Sequence, residues 1–246
     1  RVADEFPGRS VVSVVSVVRR HPGRPARRFA TCQDSTVEQS DLSLRVSEAL
    51  ADEVVSARRV SGGDVAESYR LVLGSGVVVF AKTHPSPPPH FFETEASGLS
   101  WLREAGAVAL PEVLAVEPGM LVLEWIDEGA ATSITESTLG RDLAALHRAG
   151  APSFGRHDRM TTGSLRLPNE PCDTWPEFFA VRRLRPLARR ASDTNALPVE
   201  TISGLEDVAG RLTDFGAADE LPARLHGDLW AGNRIVGRDG VNWLID

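Results

Sequence analysis

The stretch LHGDLWAGN, from Leu225 to Asn233, places one carboxylate, Asp228, five positions ahead of an asparagine, Asn233, and a second carboxylate, Asp246, follows a short apolar run that ends in LID. A lone aspartate can accept or orient a hydroxyl proton. An asparagine carbonyl and a second aspartate are the hard oxygen ligands that Mg²⁺ prefers. Converged, the three would form half of a phosphate-transfer site, in which a metal bridges phosphates and the protein mostly positions the reactants. The other half requires a fixed cation for the phosphates. Of the 27 Lys plus Arg residues only Lys82 is a lysine. A chain that uses arginine wherever either cation serves keeps lysine where a compact ammonium is needed and a planar guanidinium cannot replace it.

Elements able to position these residues follow in order. Residues 1 to 45 are rich in Arg, Pro, Ser and Val with little periodicity, and read as a poorly ordered extension or as the product of a fragmentary start. From about residue 54, VVSARRV, VAESYRLVL and VVVFAK, separated by the turns SGGD and GSG, read as three antiparallel strands. Period two in the third strand sets Val78, Phe80 and Lys82 on one face. FFETEASGLSWLREAG follows with helical spacing, and Phe92, Glu95, Leu99 and Leu102 share a stripe. A carboxylate on an apolar stripe needs a partner, and Lys82 at the end of the preceding strand is the candidate. Kinases hold a phosphate-binding lysine against a helix glutamate in this way. Gly62 and Gly63, in the turn ahead of the lysine strand, would let backbone N–H groups approach anionic oxygens.

Two more strands, ALPEVLAV and MLVLEWID, end in an apolar-to-polar switch at Glu124, Trp125 and Ile126, which suits a hinge whose backbone pairs with an adenine edge. Leu139, Leu143 and Leu146 mark a core helix of a second, mostly helical lobe, and WPEFFAVRRLRPLARRA and SGLEDVAGRLTDF read as two further amphipathic helices. RLH reads as a short strand before the GDLWAGN loop. RIV, the turn GRDG and VNWLI form a hairpin that should return Asp246 to the neighbourhood of Asn233.

Bulk properties narrow the partners. A net charge of −7 in 246 residues gives no electrostatic footprint for nucleic acid or an anionic membrane. The hydrophobic fraction of 42% is ordinary for a globular chain, so small-molecule partners are favoured. The run VVSVVSVV is too short and too serine-interrupted to span a bilayer. Cys32 and Cys172 fit neither a disulfide framework nor a zinc site, which points to a reducing cytoplasm.

HGDLWAGN resembles the catalytic loop of the fructosamine kinase (ketosamine kinase) family, a branch of the aminoglycoside phosphotransferase group of protein-kinase-like folds. HGDxxxxN is common to that group, while Trp230 and Gly232 point to the ketosamine branch. GGDVAESYRL, VFAK, FETEASGL, LVLEW, LAALH and DTWPEFFAVRRLRP extend the resemblance over about residues 50 to 246. It implies an α+β, two-lobed fold: an antiparallel β-sheet N-lobe over 46–126 for nucleotide binding and a mostly helical, truncated C-lobe over 127–246. It further implies Asp228 as catalytic base, Asn233 and Asp246 as magnesium ligands, Lys82 and Glu95 on the phosphates, and Glu124 to Ile126 as the adenine hinge. His226 and Trp230 would shape the loop.

The expected activity is ATP- and Mg²⁺-dependent phosphorylation of a sugar hydroxyl on a ketosamine, free or protein-bound, in a deglycation repair role. The alternatives are an aminoglycoside or other small-alcohol phosphotransferase, or a non-catalytic nucleotide-binding fragment. Some relatives carry a redox-sensitive cysteine in the glycine turn; Asp64 stands in that region here, so thiol regulation is not expected.

Overall fold

In the computed structural model, residues 32–60, 66–157, 161–162, 165–215 and 219–246 are described. Five antiparallel strands form the main sheet in the order β1-β2-β3-β5-β4, from β1 (Val54–Val60), β2 (Glu67–Leu73), β3 (Val78–Thr83), β4 (Val113–Glu117) and β5 (Met120–Glu124). The interior strand β5 reads MLVL because both its faces are covered. Met120 and Val122 enter one core with Leu71, Val79 and Ala81, while Leu121 and Leu123 enter another with Phe92, Leu99 and Leu102.

The first core is closed by a helix, α1 (Cys32–Leu50), which buries Leu42 and Val46 against the sheet. Two such side chains, one helical turn apart, contribute about 1.5–3 kcal/mol each, and Arg45 ties the helix to β4 through Glu117 at 2.9 Å. The sequence reading placed residues 1 to 45 outside the lobe. The stretch from Cys32 belongs to this helix instead, and its buried surface is carried by too few apolar residues to show as a periodic stripe.

The second core lies between the sheet and two helices, α2 (Phe91–Arg103) and α3 (Ser133–Arg148). Leu139, Leu143 and Leu146 of α3 meet the α2 stripe as their spacing predicts. A capping box between Thr132 and Thr135 starts α3. Two short strands, β6 (Thr161–Thr162) and β7 (Leu165–Arg166), follow.

The WPEFF segment begins α4 (Trp175–Phe179), continues through a π-turn over Ala180–Leu184 and resumes as α5 (Arg185–Asp193). With α6 (Val199–Gly210) it encloses a small core of Ala180, Ala209 and Leu212. The last elements are β8 (Arg234–Val236) and β9 (Asn242–Leu244), paired antiparallel with Arg234 opposite Leu244. RLH is not a strand: residues 220–226 pair with no neighbouring strand. Arg224 is instead held by main-chain carbonyls of Gly150 and Trp101.

Candidate active site

Strand β3 alternates as expected. Val79 and Ala81 are buried toward α1, and Phe80 and Lys82 face α2. Lys82 Nζ lies 2.7 Å from Glu95 Oε1 and also contacts Asp246 Oδ1. The side chains of Lys82 and Glu95 are only 12% and 13% exposed, whereas Asp246 is 44% exposed. One ammonium thus stands between two carboxylates in a poorly solvated place. Burial works against the lysine's charge, but Glu95 and Asp246 outweigh it and hold the Lys82 pKa above its usual value. Glu95 is pushed up as well, by burial first and by the neighbouring Asp246 charge, against the pull of Lys82.

The 225–233 loop forms the other part. Asn233, 6% exposed, donates its side-chain N–H to the Asp228 carbonyl at 3.0 Å and to Asp228 Oδ2 at 3.3 Å. Those bonds use the amide nitrogen and leave Asn233 Oδ1 without a described partner, so it can accept a further donor or a hard cation. His226 Nε2 donates to the Ile245 carbonyl at 3.1 Å, and its Nδ1 accepts the Asp228 amide at 3.4 Å, which fits a neutral imidazole serving as a loop brace. Gly227 at φ +94 makes the reversal that exposes Asp228. Gly232 meets the Trp230 ring so closely that a Cβ there would fall 2.4 Å from it, so the tryptophan and the glycine form one local unit.

The hairpin closes the two parts on each other. Ile245 N donates to the Asn233 carbonyl at 3.1 Å, which leaves Asp246 as the next residue beside the loop and in reach of Lys82. Residues not singled out in the sequence hold this hairpin. Asn242, 2% exposed, donates to the Thr135 carbonyl at 2.9 Å and accepts from Arg234 Nε at 2.9 Å, while Arg234 pairs with Glu136 at 2.7 Å. An asparagine inside the apolar run VNWLI was the available signal.

Of the hinge residues, Trp125 lies along the same face of the sheet as Phe80. The Trp125 ring is 6.5 Å from Phe80 and has the Arg70 guanidinium over it at 5.3 Å. Among the described residues no backbone hydrogen bond engages Trp125 or Ile126. The Glu124 amide, in contrast, donates to Glu112 O at 2.9 Å, and its carboxylate accepts from the Glu112 amide at 3.2 Å. Glu124 also lines a groove of about 420 Å³ with Arg103, Asp142 and Trp243, a groove that includes none of Lys82, Asp228 and Asp246. Gly62 and Gly63 lie outside the described residues. No group of three or more His, Cys, Asp or Glu able to hold a metal occurs among the described residues. No helix among them is long and apolar enough to cross a membrane.

Known proteins resemble this chain in sequence and fold. A crystal structure from Thermobifida fusca YX-ER1, assigned as a fructosamine-3-kinase, is 35% identical, superimposes with a TM-score of 0.77, and is covered over 72% of its chain by 83% of this one. A protein assigned as a ketoamine kinase in Synechocystis is 31% identical over 197 residues, 77% of this chain and 64% of its own length. A chloroplastic protein-ribulosamine 3-kinase of Arabidopsis thaliana is 30% identical over 82% of this chain and 63% of its own. The chain therefore spans a little less than two thirds of these curated relatives. Its fold is α+β and protein-kinase-like. The fructosamine kinase family model matches residues 39–246, and the chain belongs to that family.

Proposed function

We propose that the protein transfers the γ-phosphoryl group of ATP to a sugar hydroxyl of a ketosamine, either a small molecule or an adduct on a protein amine, within a reducing cytoplasm. The observation that carries this reading is the single lysine, held between Glu95 and Asp246 beside the loop that carries Asp228. In it, Lys82 neutralises nucleotide phosphates and Glu95 keeps the ammonium charged and in place. The free backbone groups at Trp125 and Ile126 suit the adenine edge, with Glu124 ending the strand that presents them. Gly62 and Gly63 approach the phosphates. Asp228 is exposed and oriented by Asn233, as suits a group that must meet an incoming hydroxyl and accept or direct its proton.

Asn233 Oδ1 and the Asp246 carboxylate fit Mg²⁺ as two hard oxygen ligands, leaving other positions to phosphates and water. When bound there, the metal supplies charge neutralisation across the phosphates. Names of the family relatives support the ketosamine acceptor, since they are assigned as ketoamine, fructosamine or ribulosamine kinases.

The test is magnesium-dependent ATP turnover with fructosyl-lysine, run on this chain and on one extended beyond Asp246. Turnover in either supports the reading. Turnover with an aminoglycoside but not with fructosyl-lysine overturns the acceptor, and nucleotide binding without turnover in both would make the protein a nucleotide-binding fragment.

A further inference from the structure

Helix α2 presents Glu95 to the sheet, and Ser97 and Trp101 to residues of the helical lobe. Arg156, which follows α3, lies with its guanidinium 4.5 Å from the centroid of the Trp101 ring and donates to Ser97 Oγ at 3.1 Å. Arg224, on the stretch leading into the 225–233 loop, lies 4.9 Å from the same ring. It also donates to the Trp101 carbonyl, to the Gly150 carbonyl at 3.2 Å and to Glu104 at 3.2 Å. Arg156 is itself anchored, because its carbonyl accepts from Asn169 at 3.0 Å, and Asn169 accepts from Arg183 at 2.6 Å. Two guanidinium groups thus share one indole, and each is tied to a different part of the helical lobe. A planar cation over an aromatic face is directional and depends on the guanidinium's shape, which lysine does not reproduce.

The sequence positions give this cluster its meaning. Trp101 is six residues after Glu95 on one rigid helix, and Arg224 is four residues before Asp228. We propose that Trp101, Arg156 and Arg224 are positioning residues. They hold α2, and through it Glu95 and Lys82, at a fixed distance from the loop bearing Asp228. The phosphate-holding and hydroxyl-directing parts of the site are therefore aligned before any ligand arrives, and α2 needs no separate activating step. This inference rests on the kinase reading of the same site.

The experiment measures Mg·ADP affinity by calorimetry, alongside thermal unfolding, on the whole chain. Trp101→Leu and Arg224→Gln are each expected to weaken Mg·ADP binding about tenfold, because displacement of a pre-aligned group by an ångström is costly. The loss should shrink to within about threefold when the same changes are made in a Glu95→Gln background, since coupled residues are not additive. Trp101→Phe, which keeps a ring, should recover most of the affinity. Arg224→Lys, which keeps only the charge, should not, and it tests the idea even if the leucine variant fails to fold. An equal loss with and without Glu95→Gln, or wild-type affinity in Arg224→Lys, overturns the positioning role. If neither the unmodified chain nor one extended beyond Asp246 binds Mg·ADP, the kinase reading itself falls and the inference with it. If the unmodified chain binds and the variants bind equally well, only the inference falls.

Discussion

The two parts of the candidate site are built in opposite ways. Around Lys82 the charges are buried in the junction of sheet, α2 and the terminal hairpin, with Lys82 and Glu95 only 12% and 13% exposed. Around Asp228 the chain is an exposed loop, braced by Asn233 and His226 and by little else among the described residues. A buried ion cluster resists displacement but ties function to folding, since removing its central cation would strand two carboxylates, one of them in a poor solvent. An exposed carboxylate can be exchanged with little effect on the fold. The proposed ligand holding is thus coupled to stability here, and the proposed proton-directing step is not.

Substitutions can sharpen or break that contrast. Asp228→Asn is expected to lower ATP turnover about 10³-fold while leaving the midpoint of unfolding nearly unchanged; a large fall in the midpoint would show that the loop is structural. Lys82→Arg should lower turnover by about 10² for want of a compact ammonium in the same place, with a smaller effect on stability. Equal rates for the arginine form in steady-state assays would make the lone lysine an accident of composition. In the hairpin that joins the two parts, Asn242→Leu should destabilise by about 2–3 kcal/mol, because it leaves the Thr135 carbonyl and the Arg234 guanidinium without their buried partner. Denaturant unfolding measures this.

Glu95→Gln tests the buried cluster through pH. Glu95 holds its proton more tightly in the folded chain than at the ordinary value of 4.5. Its contribution to stability is therefore full below that value and is lost as the pH rises through the raised one. The glutamine variant, which leaves Lys82 paired with Asp246 alone, should match the wild type in acid and melt at or above it near neutrality. A wild type that gains on the variant as pH rises would reverse the assigned direction. The smallest effect is expected at Ser68, 2% exposed and opposite Lys82 across the β2–β3 ladder, whose hydroxyl has no hydrogen-bond partner among the described residues. Ser68→Ala should raise stability by up to about 1 kcal/mol by removing an unsatisfied buried group, as thermal unfolding would report.

Local patterns were the most legible in the sequence. Period two oriented Lys82, helical spacing put Glu95 on the α2 stripe, and hairpin logic returned Asp246 toward Asn233. Each depends on residues near one another in the chain. The contact of Lys82 with Asp246, 164 positions away, was not legible, because it depends on how the hairpin docks on the sheet rather than on either segment alone. Helix α1 was missed because its sequence is mostly polar, and among its described side chains only Leu42 and Val46 are fully buried, with Leu50 packed beside them. RLH has the composition of a strand but pairs with no strand among the described residues, and Arg224 there is engaged by Trp101 instead. The π-turn over Ala180–Leu184 runs directly into Pro186 at the start of α5, a residue with no N–H for the carbonyl one turn back, and that local signal went unread in the sequence.

The shortage of lysine has one more consequence. Ketosamines arise when an uncharged, accessible amine attacks the carbonyl of a reducing sugar. The chain's one ε-amine is half-enclosed by two carboxylates that keep it protonated, and its other side-chain cations are guanidinium groups, which stay protonated at any physiological pH. Over these 246 residues, a protein proposed to act on glycated amines therefore offers sugars no readily reactive lysine, so this part of it would itself be slow to become glycated.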